Sequence, residues 1–377
     1  MIAALLLAGC AAPDQVMRLP SSLGARAELQ PLQALQPPPF LPPPPVSAPL
    51  LPSLPPPPSA APPVAPAVPA PENERLVLLR QWVEQQSRLY RVAAPLLIRN
   101  APLCSLSARK ILGFTAKNQY SYPSDFVETA HTGLGLDDRL QVASVLPGSG
   151  AMVAGIQVGD ILVAAGDRTV PSGPNAERMA GSVMADATAG SASLLLTIQR
   201  GEEKIQIDVP LTPACAMVID LGNTDAVGSY ADGARVLVTR GMLAFVGSDD
   251  ELAFVLAREI AFNVVTLAPR ADIATIIDRL RSLNNAPQSG ADELQTVPTT
   301  PVQDGAVDRL ALTMLARAGY PLEGFIEFWE RLATSYPPEL RNSLASLHTP
   351  LAERLPGIDR TIKAIRAKQQ SGQILTP

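Results

Sequence analysis

The sequence predicts an α+β chain in which helical stretches flank a β-rich module. Three stretches predict it. Residues 73–98 place Leu76, Leu79, Trp82, Val83, Leu89 and Val92 at helical spacing with charged residues between them. Residues 126–210 string short strand-like runs between Pro-Gly and Gly-Asp turns. Residues 249–265, DDELAFVLAREIAFNVV, form an apolar helical stretch.

The 377 residues leave room for about two or three domains. Net charge is only −5, and acids and bases are interspersed. No basic block supplies a nucleic-acid footprint, so DNA and RNA are excluded as partners. His131 and His348 are the only histidines, which restricts metal chemistry.

The chain opens MIAALLLAGCAAPD. The apolar run ending Leu7-Ala8-Gly9-Cys10 resembles the lipobox of bacterial lipoproteins. Residues 1–10 then read as a signal peptide, and the Cys10 thiol as the lipidation point. The run is too short for a membrane span. It has no positive flank, so a start further upstream stays open, as does an ordinary apolar N-terminus with a chance cysteine. Ala11 after the cysteine implies, by resemblance to enterobacterial sorting, a lipid-anchored protein of the bacterial cell envelope, on the outer membrane and facing the periplasm.

Residues 11–71 are expected to be a tether. Of the 39 prolines 21 fall there, most of these in LQPPPFLPPPPVSAPLLPSLPPPPSAAPPVAPAVPAP. Consecutive prolines fix the backbone and remove donors, leaving polyproline. The forty-odd residues of 31–71, at roughly 3.1 Å each, reach on the order of 100 Å. With Cys10 lipidated in an oxidising compartment, Cys104 and Cys215 remain for one disulfide, or stay as two buried thiols.

In the module, RLQVASVLPGSGAMVAGIQVGDILVAAGDRTV reads as strand, turn, short helix, turn and strand. A helical segment over 175–187 and the strand pair SLLLTIQR and IQIDVPL follow. This order resembles the PDZ domains of bacterial envelope proteases. Val145–Ala151 (VLPGSGA) fits V-x-P-G-S-P-A except at Gly150, where proline is usual. Ala154-Gly155-Ile156 and Gly159-Asp160-Ile161-Leu162 also fit. PDZ domains add an extended peptide to a sheet edge and hold its terminal carboxylate with loop amides. Gly133-Leu134-Gly135-Leu136 is the candidate for those amides, or else a linker turn.

Residues 214–265 carry Ser229-Tyr230-Ala231-Asp232-Gly233, Gly241-Met242-Leu243 and Glu251-Leu252-Ala253 in step. Residues 307–333 follow with Ala318-Gly319-Tyr320, and His348, Pro350 and Arg354 come after. These resemble the CAAX-prenyl-protease and HtpX-type zinc metallopeptidases, a zincin-like family, and the resemblance implies a mainly helical domain with a small sheet, interrupted by the β-rich PDZ. The resemblance spans 73–125 and 211–369, with the PDZ between, and implies an H-E-x-x-H helix over 258–262. Two histidines one turn apart hold zinc, the glutamate is the general base, and a glutamate on a later helix is the third ligand. Here the three ligand positions read Arg258, Phe262 and Ala306, and Glu259 alone remains as the residual general-base position. Arginine, phenylalanine and alanine offer no lone pair to a metal. Zinc is the cofactor of intact members, and none is expected here.

The resemblance implies that Asp308 holds the position that orients a zinc-bound histidine, and that His348 and Arg354, from the last motif, support the site in the same way. Arg258 is expected to reach Asp308 or Glu259, an ion pair replacing the metal between two helices, with Phe262 and Ala306 filling the rest. The alternative has Arg258 pointing to solvent. Residues 286–304 read as a polar, turn-rich loop. The expected function is an inactive metallopeptidase-like scaffold binding envelope proteins or peptides through the PDZ and the cleft. The alternatives are an active zinc metalloendopeptidase of envelope quality control with displaced ligands, and a PDZ that does all the binding.

Overall fold

A computed structural model describes residues 72–104, 107–266, 271–281, 299–336 and 348–377. The expected lipobox (1–10) and tether (11–71) and the segment 282–298 lie outside the described residues. Helix α1 (Glu72–Arg99) occupies the stretch where apolar spacing placed it. Leu79, Trp82, Leu89 and Val92 are its buried face, and Glu72, Glu74 and Arg99 sit at the ends where the helix dipole favours each charge.

Two short strands follow, β1 (Ala108–Ile111) and β2 (Phe114–Lys117), then α2 (Val127–Leu134). Next come β3 (Gln141–Val145), α3 (Gly150–Val153), β4 (Ile161–Ala165) and β5 (Arg168–Thr169). Helix α4 (Ala176–Thr188) leads to β6 (Ser193–Arg200) and β7 (Glu203–Pro210). These strands form one antiparallel sheet in the order β2-β3-β4-β6-β7, with β5 on β4. Leu140, Val142, Leu162, Leu196, Ile198 and Met184 pack a core separate from that of the helices. The motifs read from the sequence have structural reasons. Asp160 is buried, takes both arms of Arg200 at 2.7 Å and accepts the Gln157 amide. A Cβ on Gly150 would lie 1.7 Å from the Pro210 carbonyl oxygen, which explains the missing proline.

The sheet begins at Phe114, ahead of the expected boundary at 126. Strand β2 is only four residues long, too short for alternation to show, and α2 separates it from β3. Helix α2 belongs to the other side: Phe126, Ala130 and Leu136 pack with Leu79 of α1.

Strand β8 (Thr212–Cys215) returns to pair with β1, Ala108 opposite Cys215. The Cys104–Cys215 disulfide, with Cα atoms 5.4 Å apart, closes the same point. Both chain crossings into the insert are thus tied together at its base.

A second sheet, in the order β10-β11-β9, is built from β9 (Val218–Gly222), β10 (Ser229–Ala231) and β11 (Arg235–Thr239). Helices α5 (Arg240–Phe245), α6 (Asp249–Thr266) and α7 (Ala271–Leu280) follow. The last three are α8 (Pro301–Ala318), α9 (Phe325–Ser335) and α10 (Leu351–Gln370). Residues 252–263 of α6 are all buried, as its apolar character on every face requires. It packs on the second sheet, α1 and α8, and α10 covers α8. The expected 286–304 loop is corrected at its end, where Pro301 already begins α8. Thr300 and Gln303 form a capping box there, with Pro301 in the first turn.

Candidate functional site

Three helices bring their charged residues to one buried point. Arg258 on α6 donates through one terminal nitrogen to Asp304 Oδ1 at 2.6 Å and through Nε to Asp308 Oδ1 at 3.3 Å. Arg354 on α10 grips Asp308 with both arms, at 2.8 and 2.6 Å. Asp304 also accepts the Thr349 amide at 2.8 Å and the Thr299 hydroxyl at 2.5 Å. His348 Nδ1 lies 3.1 Å from the same carboxylate. With the Thr299 hydroxyl already directed at Asp304, the network assigns a proton to that nitrogen. The Arg258 guanidinium carbon lies 5.3 Å from the centroid of the Trp329 ring. Two guanidiniums thus face two carboxylates with their hydrogen bonds made, the condition under which buried charge is tolerated.

Burial by itself raises the Asp304 carboxyl. The His348 hydrogen bond and the charges of His348 and Arg258 outweigh it and hold Asp304 well below the ordinary carboxylate range. Burial and then the Arg258 charge push His348 down to about 4, so it is neutral at pH 7. Burial and Arg354 pull Arg258 downward, against Asp308 and Asp304; an arginine still keeps its proton.

The expected link from Arg258 to Asp308 is present, but the shorter bond goes to Asp304, which the sequence reading missed. Helix geometry was the available signal. Asp304 and Asp308 are one turn apart and share the face toward α6, whereas residue 306 lies about 200° around from 304. Ala306 is therefore off the face that Arg258 meets, and it is half-buried. Asp304, not Ala306, is the α8 residue opposite α6. Phe262 is buried in the main core. Glu259 is buried too and accepts the Ser229 hydroxyl at 2.8 Å.

A zinc ion does not fit this donor set. The position between the helices holds a cation already, and both carboxylates facing it are engaged by guanidiniums. Among the described residues, no three histidine, cysteine, aspartate or glutamate side chains are grouped to hold a metal.

The insert supplies a second candidate site, not at Gly133–Leu136. Those four residues end α2. Gly135 is its left-handed cap at φ +69°, with its amide on Ala130 and His131, and the Leu136 amide also bonds Ala130. Amides spent on a helix end are not offered to a carboxylate. The sheet edge lies at β2 instead. Leu112-Gly113 precedes it, with Gly113 at φ +92°, a conformation glycine adopts freely. Among the described residues no strand pairs with the outer side of β2. An apolar cavity of about 50 Å³, partly open to solvent, borders this edge, and Phe114, Thr115 and Met184 of α4 line it. At the far end, Lys117 of β2 pairs with Glu177 of α4 at 2.9 Å, and Ser121 bonds the same carboxylate at 2.7 Å. The string Leu112-Gly113-Phe114 before a strand was the signal available in the sequence.

No protein-family model matches the chain, and no curated protein matches it. Among solved structures, it is similar to the HtrA3 PDZ domain bound to a phage-derived ligand (FGRWV). The identity is 20%, over 28% of this chain and 88% of that one, with a TM-score of 0.21.

Proposed function

We propose that this chain is a non-hydrolytic, peptide-binding scaffold: a degenerate relative of the zinc metallopeptidases whose PDZ-like insert captures the carboxyl end of a protein. The cell envelope, with Cys10 as the lipid anchor, is its proposed location. The observation that carries the reading is the outer edge of β2 bordering an apolar cavity. An extended peptide gains main-chain bonds from such an edge and side-chain burial from such a cavity. The non-hydrolytic half is supported by the Arg258 guanidinium, 2% exposed, standing between the carboxylates of α8. Without a metal-bound water, Glu259 has nothing to deprotonate by the family mechanism.

The test has two arms on the chain from Glu72 onward. Metal analysis with casein as substrate is expected to give neither stoichiometric zinc nor cleavage. An array of hexapeptides with free carboxylates is expected to give binders with apolar last residues. Zinc at one per chain with casein cleavage overturns the non-hydrolytic half, and a blank array overturns the peptide-binding half.

A further inference from the structure

We propose that helix α1 completes the ligand pocket of the insert, so that recognition belongs to the joined chain and α1 residues choose the ligand's last side chain. The proposal rests on the peptide-binding reading above. The cavity beside β2 has two walls of different origin. Leu112, Phe114 and Met184 come from the insert and its entry loop; Tyr90, Ala93, Ala94 and Leu97 come from α1. Cys215 and Met217, just past the insert, also line it.

The side chains on the α1 wall argue for a wall and against a plug. Ala93 and Ala94 are the smallest residues that keep the helix, and they leave the space open. Tyr90 and Leu97, a turn to either side of that pair, bound the opening. The wall is also held in place. The Cys104–Cys215 bridge and the β1–β8 ladder fix the base of the insert against the chain that leaves α1. A ligand therefore meets a preorganised pocket, and less ordering cost accompanies binding.

The shape selects one occupant, the free carboxyl end of an extended peptide with an apolar last residue. Arg109, exposed on the strand entering Leu112-Gly113, carries the positive charge a carboxylate there would meet; the Lys110 ammonium is held by the Ser191 carbonyl at 3.0 Å. The buried Lys117–Glu177 pair bridges β2 and α4 at the other end, so strand pairing is limited to the four residues of β2.

The experiment measures hexapeptides ending in free valine, leucine or phenylalanine against the disulfide-intact chain by fluorescence anisotropy, with thermal melting as the folding control. Ala94→Met narrows the pocket from the α1 side. Leu97→Val widens it and keeps the test available where the first variant does not fold. The expected result is a reciprocal shift. Ala94→Met weakens the phenylalanine peptide about tenfold more than the valine peptide, and Leu97→Val moves the preference the other way. A general loss of fold cannot produce opposite preferences. Peptides that bind wild type with unchanged order in both variants overturn the proposal and leave the peptide reading standing. Absence of binding to wild type overturns the peptide reading itself.

Discussion

Arg258 and Asp304 meet at 2.6 Å, with side-chain exposures of 2% and 0%. Neither charge has solvent to fall back on, so each depends on the other. Asp304→Ala is expected to cost about 3–5 kcal/mol, because it leaves a guanidinium buried beside one remaining carboxylate. Replacing both partners, as in Arg258→Met with Asp304→Leu, should cost clearly less, since no uncompensated charge stays behind. Chemical denaturation of the three variants checks it; a double variant as unstable as the single one contradicts the account.

The same cluster sets a pH dependence. The His348 pKa falls from an ordinary 6.5 to about 4 in the folded chain, through burial and the Arg258 charge. Between those values the unfolded chain takes up a proton that the folded chain refuses. Stability therefore falls as pH drops through that window, by on the order of 3 kcal/mol for this group. His348→Asn keeps a donor toward Asp304 and cannot titrate. Denaturation midpoints from pH 7.5 to 4.5 should fall more steeply for wild type than for the variant; parallel curves reject the assignment.

Helices legible in the sequence were those whose burial leaves a periodic trace. The α1 face is of this kind; α6 shows instead as an unbroken apolar run, and α3 and β4 through the turn residues around them. What failed was local. Gly133-Leu134-Gly135-Leu136 was read as a loop because glycine suits both a carboxylate-binding turn and a helix cap, and only the preceding turn of α2 separates the two. The short motif puts the third ligand position at Ala306, although the turn from 304 to 308 already sets two acids on one face. The half of the pocket that comes from α1 had no sequence signal, since it arises where Cys104 and Cys215, 111 residues apart, tie two chain segments together.

Gly150 tests the packing of the insert. Its amide donates to the Thr212 hydroxyl at 2.7 Å, and an added Cβ would strike the Pro210 carbonyl oxygen. Gly150→Pro removes the donor as well as adding bulk, so it should destabilise by about 2–4 kcal/mol. Gly150→Ala keeps the amide and should cost less. A thermal melt of Gly150→Pro equal to wild type would mean that the contact with β7 is not kept in solution.

The final prediction turns the ion-pair cluster back toward a metal. Residues 258 and 262 are one turn apart on α6, and Asp304 approaches that face from α8. Arg258→His with Phe262→His therefore presents two imidazoles and a carboxylate, the three protein ligands a zinc ion accepts while keeping one open position. Removing Arg258 also frees Asp304 of its strongest competitor, although His348, Thr299 and Thr349 still hold it in place. The double variant is expected to bind about one zinc per chain by metal analysis, and wild type none. Adding Asp304→Ala should abolish that binding, whereas adding Ala306→Ser should leave it unchanged, because residue 306 is off the facing side of α8. Zinc uptake that ignores Asp304 would show that the two helices do not present these residues to a common point.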